Sequence, residues 1–247
     1  MTFGSLRRES LMNYPDDSLQ NIVSNGSWWE ETKETKLARG DLVFAFIPHV
    51  DQTPYVFTPV GRDIPTEHSR ALVKVEPLKV GAPLKQYDLP VAAMPLFKNE
   101  VWSAHRAKRR PCLVLSVECT QVDKELIAGK PKSSTAPTYI VAPYYGVDAG
   151  RKRAGYSEAF TERVRHCEYS QFLWDKLPVN GADESILRLD HIMPIGAHYH
   201  SYQHTGFRLS QEAMSVVDDF LLWHLHGGVP EESLILEYRD ILDECFA

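Results

Sequence analysis

The segment RRPCLVLS, residues 109–116, restricts the fold of this chain more than any other part of the sequence. A residue that precedes proline is kept out of the helical region, so Arg110 has to be extended. Pro111 has no N–H to donate, and a strand accepts proline at its first position. The short apolar run that follows is typical of a buried strand. We therefore predict a buried strand over 112–116, with Arg110 directly before it.

Three further apolar segments predict strands of the same kind. They cover residues 42–47, which follow a glycine turn, residues 138–142, which run to Pro143, and residues 185–192, which run to Pro194. Each is rich in β-branched or aromatic residues and is bounded by turn-forming residues. These segments predict a sheet built from strands that are distant in the chain.

The C-terminal part of the chain, about residues 210–244, has the periodicity of two helices. Ser210 is a good N-cap for the first helix, whose apolar positions recur on one face until Gly227. Pro230 lies near the start of the second helix. Strands that come first and helices that come last predict an α+β fold: a small antiparallel sheet or barrel with these helices packed on it.

The length of 247 residues favours one domain with large additions over two complete domains. Residues 1–36 are polar and rich in turn signals, which predicts a peripheral N-terminal arm with Trp28 and Trp29 packed on the body of the protein. Residues 37–247 then form the single domain. Within it, the proline-dense region of about 48–105 predicts a long insertion between two strands, too apolar for a disordered linker.

The net charge of −6 argues against a protein that coats nucleic acid, so any anion site has to be local. The densest positive charge lies at residues 106–110, immediately before the predicted strand. The four cysteines form no C-x-x-C pair, which favours free thiols in a reducing compartment. No secretory signal and no apolar tract of about 20 residues is present. We expect a cytoplasmic protein without a membrane segment.

Four short motifs, taken in their order, resemble a known family. They are Gly-Asp at 40–41, Arg-Pro at 110–111 followed by Val-Leu-Ser at 114–116, a strand that ends at Pro143, and Leu-Asp-His-Ile at 189–192. This order is similar to that of the MazF/PemK family, the toxins of type II toxin–antitoxin systems. The resemblance implies an SH3-like β-barrel, here enlarged by the insertion, and a growth inhibitor that acts as an endoribonuclease.

The resemblance also implies a role for Arg110. In the family, the arginine of the Arg-Pro pair lies where RNA is cut, in a metal-independent reaction that uses the adjacent 2′-hydroxyl and leaves a cyclic phosphate. A fixed guanidinium stabilises the negative charge that develops on the phosphoryl oxygens. Arg106, Lys108 and Arg109 would attract the phosphate backbone towards it.

The third motif departs from the family at Tyr145, where many members have a catalytic threonine. A phenol can donate a hydrogen bond to phosphate, and the rings of Tyr144 and Tyr145 can stack on bases. The missing acid/base partner is left open between His105, Glu118 and Tyr145, with histidine favoured by its pKa near neutrality.

A second basic group, which includes Arg151 and Arg153, is a candidate for the far wall of an RNA groove. The implied partners are single-stranded RNA, a second copy of the chain in a homodimer, and an antitoxin with an acidic tail. No cofactor is implied. The alternative to a nuclease is a non-catalytic module of the same fold that binds nucleic acid or protein, and the Tyr144-Tyr145 replacement is its best support.

A histidine group invites a metal interpretation, which we rank below both. His198 and His200 would share one face of a strand, with His204 and His191 nearby, but no carboxylate or cysteine stands at ligand spacing. We expect no metal at this position. Asp41 and Asp190 are assigned to turn capping and cross-strand hydrogen bonds.

Overall fold

The computed structural model describes residues 13–23, 27–67, 69–81, 94, 96, 98–117, 122–130, 135–147, 155–179 and 184–246. The chain divides into two compact units. Unit 1 comprises the described residues of Met1–Ala45 and Arg110–Ala247, and unit 2 comprises those of Phe46–Arg109. Unit 2 contains the predicted insertion of about 48–105.

The described strands and helices alternate in a mixed order along the chain. The strands are β1 (Trp29–Glu31), β2 (Asp41–Pro48), β3 (Tyr55–Arg62), β4 (Ala71–Pro77), β5 (Trp102–Ala104), β6 (Ala107–Ser116), β7 (Thr138–Gly146), β8 (Phe172–Lys176), β9 (Glu184–Arg188), β10 (Met193–Gly196) and β11 (Gln203–Leu209). The α-helices are α1 (Lys124–Ile127), α2 (Glu158–Arg165), α3 (Gln211–His226) and α4 (Leu234–Phe246). Short 3-10 helices lie at Leu19–Asn21 and Leu189–His191.

Unit 1 is built on an eight-stranded sheet in the order β1-β11-β2-β6-β7-β9-β8, with β10 paired to β7 outside this path. The registers of β1, β7, β8, β9, β10 and β11 are antiparallel. The path ends at β1 and β8, and the described pairings do not join these two strands. The predicted α+β class with antiparallel strands is confirmed at this level.

Helix α3 covers the sheet of unit 1 with the face that its sequence predicts. Its N-cap, Ser210, accepts a hydrogen bond from the backbone N–H of Ala213 at 3.2 Å. Gly227 ends the helix in the left-handed region, with φ of 81°, which a residue without Cβ adopts freely. The apolar side chains of the helix, among them Val217 and Phe220, lie in the same buried cluster as Leu42 and Leu113 of the sheet.

The described part of the predicted N-terminal arm belongs to the core of unit 1. Trp28 and Trp29 are 4% and 7% exposed, and Leu19 is also buried. Strand β1 adds its backbone hydrogen bonds to β11. Two indole rings bury a large apolar area, and an edge strand needs a partner, so this polar segment is held firmly. The docking of the tryptophans agrees with the prediction, but the segment is a strand of the sheet.

Unit 2 contains a three-stranded antiparallel sheet in the order β4-β3-β5. The central strand, β3, pairs with β4 from Tyr55↔Pro77 to Arg62↔Ala71, with an irregularity between Pro59 and Gly61. Strands β3, β4 and β5 all lie within the predicted insertion of about 48–105. Residues 82–93, 95 and 97 of this insertion lie outside the described residues.

Candidate functional site

Arg110 is held on β6 opposite a tyrosine of β7. The two strands are antiparallel, and their register pairs Cys112 with Pro143. Arg110, two residues before Cys112, therefore stands opposite Tyr145, two residues after Pro143. The guanidinium carbon Cζ of Arg110 lies 3.8 Å from the centre of the Tyr145 ring. This is a cation–π contact between a planar cation and an aromatic face. Arg110 is only 9% exposed.

The neighbouring tyrosines of β7 point to opposite sides of the sheet because side chains alternate along a strand. Tyr144 points into the main core, is 1% exposed, and donates a hydrogen bond to Oδ2 of Asp175 at 3.2 Å. A ring enclosed in this way has no accessible face for a base, so Tyr144 is not part of the site. Tyr145 points to the other side, where Arg110 lies.

Tyr145 is connected to a chain of polar side chains that begins at the end of β9. Its hydroxyl oxygen lies 2.8 Å from Nδ1 of His191. The other ring nitrogen of His191, Nε2, lies 2.9 Å from Nη2 of Arg188. Arg188 in turn donates two hydrogen bonds to Asp190, at 2.6 and 2.5 Å. The strand predicted over 185–192 ends at Arg188. The turn that follows brings Asp190 and His191 back beside Arg188.

This chain of contacts determines which nitrogen of His191 carries its proton. A guanidinium has no acceptor, so Nε2 of His191 has to accept from Arg188. The neutral ring therefore carries its hydrogen on Nδ1 and donates it to the hydroxyl oxygen of Tyr145. The hydroxyl hydrogen of Tyr145 is then available to a further acceptor, such as an oxygen of a ligand.

Within the described ranges, the charges around Tyr145 leave Arg110 without a carboxylate partner. Arg188 is neutralised by Asp190, and although burial opposes it, the hydrogen bonds from Arg188 keep the pKa of Asp190 below its usual value. Burial raises the pKa of Tyr145, while Arg110 and Arg188 act in the opposite direction. Tyr145 therefore stays protonated at neutral pH. No carboxylate in the described part of the chain lies within ion-pair distance of Arg110. The site as described can attract an anion and donate a hydrogen bond to it.

The other predicted site residues belong to unit 2 or lie outside the described residues. His105, Arg106, Lys108 and Arg109 are exposed and belong to unit 2. Arg151, Arg153 and Glu118 lie outside the described residues. The structure therefore brings together Arg110 and Tyr145 of the predicted set.

Sequence reasoning did not assign Arg188 and His191 to the site. Both lie in the motif ILRLDHI, which carried part of the family resemblance, and that was the available signal. Tyr156 also approaches, with its hydroxyl 3.5 Å from Nη1 of Arg188. Its neighbourhood in the sequence gave no comparable signal.

The histidine group does not belong to a cluster of metal-ligating side chains in the part of the chain that the structure describes. The rings of His198 and His200 are 6.4 Å apart, and Nε2 of His198 lies 2.8 Å from the hydroxyl oxygen of Ser201. Over the described ranges, no three His, Cys, Asp or Glu side chains form a group that could hold a metal ion. Asp41 has the predicted structural role: it accepts from the N–H of Ala38 at 2.7 Å and from Arg208 at 2.6 Å.

Comparison with known proteins does not assign the chain. No model of a known protein family matches it, and no curated protein matches its sequence. None of the helices in the described residues is long and apolar enough to cross a membrane. Cys112, Cys167 and Cys245 have free thiols, and Cys119 lies outside the described residues.

Proposed function

We propose that this protein is an endoribonuclease of the MazF/PemK toxin type, which cleaves single-stranded RNA without a metal ion. The observation that carries the proposal is the position of Arg110. Its guanidinium is held against Tyr145, the residue as a whole is 9% exposed, and it has no carboxylate partner among the described residues. An unpaired cation that is largely removed from water is costly, and an anionic ligand offsets that cost. A phosphodiester is the anion that the family resemblance suggests.

The reaction places negative charge where Arg110 can act. The 2′-hydroxyl oxygen loses its proton and attacks the adjacent phosphorus, the bond to the 5′-oxygen breaks, that oxygen takes up a proton and leaves as a 5′-hydroxyl, and a 2′,3′-cyclic phosphate remains. Charge accumulates on the phosphoryl oxygens in the transition state, and a guanidinium already in place stabilises it without reorganisation. In this proposal Arg110 binds these oxygens.

Tyr145 acts in the proposal as a hydrogen-bond donor to the same phosphate. Its raised pKa keeps the phenol protonated, and its hydrogen is available because His191 donates to its oxygen. The prediction left the group that accepts the proton of the 2′-hydroxyl open between His105, Glu118 and Tyr145. Because Tyr145 is assigned as a donor in this proposal, His105 and Glu118 remain as candidates. That Arg106, Lys108 and Arg109 attract the RNA backbone stays a prediction.

The finer features that the resemblance implies belong to the same proposal. They are an SH3-like barrel in unit 1, a homodimer, a cytoplasmic location and a function as a growth inhibitor. The antitoxin partner would place an acidic segment in the site that binds RNA. An acidic chain competes with phosphate for Arg110 because both are anions.

A second candidate function is a non-catalytic module that binds a nucleic acid or a protein. Two observations favour it. The family threonine is replaced by Tyr145, whose oxygen is engaged by His191, and little of Arg110 is exposed. Such a module would keep the anion site without the chemistry.

The test is an RNA cleavage assay in EDTA with the wild-type chain, Arg110→Lys and Arg110→Ala. We expect wild-type protein to cut a mixed single-stranded RNA and to leave 2′,3′-cyclic phosphate ends. Loss of one donor that acts on the transition state lowers the rate by about 100-fold or more, so Arg110→Ala should be nearly inactive. Arg110→Lys keeps the charge but loses the planar guanidinium, so its cleavage rate should lie between those of wild type and Arg110→Ala.

Arg163→Ala is the matched control, because Arg163 is an exposed arginine that pairs with Glu168. Cleavage by Arg110→Ala at the wild-type rate would remove Arg110 from the mechanism. Binding of RNA by wild-type protein without any cleavage would support the non-catalytic module. Cleavage that EDTA abolishes would support a metal-dependent enzyme.

A further inference from the structure

The three-stranded sheet of unit 2 has one apolar, aromatic side. The register pairs Phe57 of β3 with Val75 of β4 and with Trp102 of β5, so these three side chains form a row across the sheet. Tyr55 and Val73 occupy neighbouring rows on the same side, since residues two apart on a strand share a side. We call this side, formed by Tyr55, Phe57, Val73, Val75 and Trp102, the aromatic face.

The aromatic face is open to solvent. Tyr55, Trp102 and Val75 are 52%, 42% and 52% exposed. Trp102 is the most exposed of the five tryptophans, and three of the others are 7% exposed or less. Large aromatic rings that lie side by side on a sheet and stay in contact with water are typical of a surface that binds a partner.

The charge around the aromatic face differs from that of the rest of the chain. Residues 46–109 contain nine Lys and Arg but six Asp and Glu, a net charge of +3 in a chain of net charge −6. On the opposite side of the sheet, Lys74 is paired with Glu76 at 2.8 Å. The exposed cations Arg106 and Lys108 follow directly after β5, the strand that carries Trp102. Aromatic rings and positive charge therefore occur together in unit 2.

We propose that the aromatic face is a binding site for single-stranded RNA, in which bases stack on Tyr55 and Trp102. The choice of RNA over another single strand rests on the proposed nuclease function. Stacking needs only the flat face of a base, so the site would bind different sequences with similar affinity. Arg106 and Lys108 would contact the phosphates of the same strand.

The alternative occupant of an exposed apolar face is a second copy of the chain. Two identical units of charge +3 repel each other, whereas a polyanion is attracted, so the charge favours RNA. Aromatic side chains, and not aliphatic ones alone, occupy the middle of the face, which suits flat ligands.

The test is a binding titration that does not depend on cleavage. The probe is a fluorescein-labelled 2′-O-methyl oligonucleotide of about 12 nucleotides, a length that spans the site sizes of such surfaces. It lacks the free 2′-hydroxyl and cannot be cut. We expect Tyr55→Ala and Trp102→Ala each to weaken binding by about tenfold or more, the range found when a stacking ring is removed. Quenching of tryptophan fluorescence by the probe should disappear in Trp102→Ala.

Two conservative variants protect the test against a folding defect. Trp102→Phe and Tyr55→Phe keep a ring for stacking and should bind within a few fold of wild type, whereas Tyr55→Leu keeps only apolar area and should bind weakly. Tyr199→Ala is the matched control, because Tyr199 is an exposed tyrosine of unit 1, 78% exposed. Its affinity should not change.

Equal binding by Tyr55→Ala, Trp102→Ala and wild type would overturn the inference. A wild-type dimer that sedimentation shows to dissociate in Trp102→Ala, with unchanged RNA binding, would overturn it in favour of a second copy. A protein that fails to cut RNA but binds the probe through the aromatic face would contradict the nuclease proposal alone, so the two failures are distinguishable.

Discussion

The side chains around Tyr145 act together through the direction of their hydrogen bonds. Arg188 can only donate, which makes Nε2 of His191 an acceptor and places the ring hydrogen on Nδ1. Asp190 in turn holds Arg188 through two hydrogen bonds. The free hydroxyl hydrogen of Tyr145 thus depends on Arg188, whose guanidinium carbon lies 5.4 Å from the centre of the Tyr145 ring and whose Nη2 contacts His191. Arg188 is a positioning residue in this arrangement.

Replacement of Arg188 by Met should change the tautomer of His191. Without this donor, Nε2 of His191 no longer has to accept a hydrogen bond. The ring hydrogen can then move from Nδ1 to Nε2. The imidazole ¹⁵N shifts, assigned with a His191→Gln variant among the ten histidines, should report Nδ1–H in wild type and a shift towards Nε2–H in Arg188→Met. Arg188→Lys retains a donor and should keep the wild-type tautomer. An Nε2–H tautomer in the wild-type protein would contradict the arrangement.

At the scale of elements, Asp175 joins three segments of unit 1. This carboxylate on β8 is fully buried and accepts hydrogen bonds from Tyr14 at 3.2 Å, Trp28 at 3.1 Å and Tyr144 of β7 at 3.2 Å. The N-terminal segment is therefore held to the sheet by polar contacts as well as by its tryptophans. A buried carboxylate is costly when ionised, and burial raises the pKa of Asp175 to about 7, although its hydrogen bonds act in the opposite direction.

The raised pKa of Asp175 predicts a loss of stability as the pH increases. Its usual pKa, 3.8, applies to the unfolded chain, so between about 4 and about 7 the folded protein binds a proton that the unfolded chain has released. The contribution of Asp175 to the free energy of unfolding should therefore fall across this range, by an amount on the order of 4 kcal/mol, and change no further above it.

Asp175→Asn isolates this contribution, because the amide is never charged and its oxygen still accepts from Trp28 and Tyr144. Urea unfolding of both proteins at several pH values should show the wild type losing stability relative to the variant as the pH rises. Asp17 and Asp190, whose pKa values are lowered, act in the opposite direction at lower pH and cancel in the comparison. A constant difference between the two proteins across this range would disprove the assignment.

At the scale of the whole molecule, the uneven distribution of charge governs how an acidic protein would bind RNA. The net charge of −6 is composed of +3 in residues 46–109 and a strongly negative remainder. Attraction to a polyanion is then confined to a few cations. Such binding weakens with salt in proportion to the small number of phosphates contacted.

The affinity for single-stranded RNA should fall with salt by a modest slope, which Lys108→Gln reduces. Each phosphate contact contributes about 0.7 to the slope of log K against log salt concentration for a single strand. Titrations from low to moderate salt should therefore show a slope smaller by about 0.7 in this variant. Lys124→Gln, which removes an exposed lysine of unit 1, is the control and should leave the slope unchanged. Equal slopes in Lys108→Gln and wild type would exclude Lys108 from phosphate binding.

Local patterns in the sequence determined much of the architecture. The buried part of β6 after Pro111, the helix between Ser210 and Gly227, and the α+β class follow from alternation, capping and proline, which act over a few residues. The opposite directions of Tyr144 and Tyr145 also follow from alternation, although which of the two faces the core does not.

The tertiary structure alone decided the partners of these residues. Arg110 meets Tyr145 because β6 and β7 pair in one register, and His191 reaches Tyr145 because β9 ends beside β7. The polar N-terminal segment becomes part of the core because Asp175 and β11 lie where Trp28 and β1 can bind them. Short-range sterics and hydrogen bonding are encoded in neighbouring residues. Register, burial and the resulting charge environment depend on contacts between residues that are far apart in the chain, and these arise only when the sheet forms.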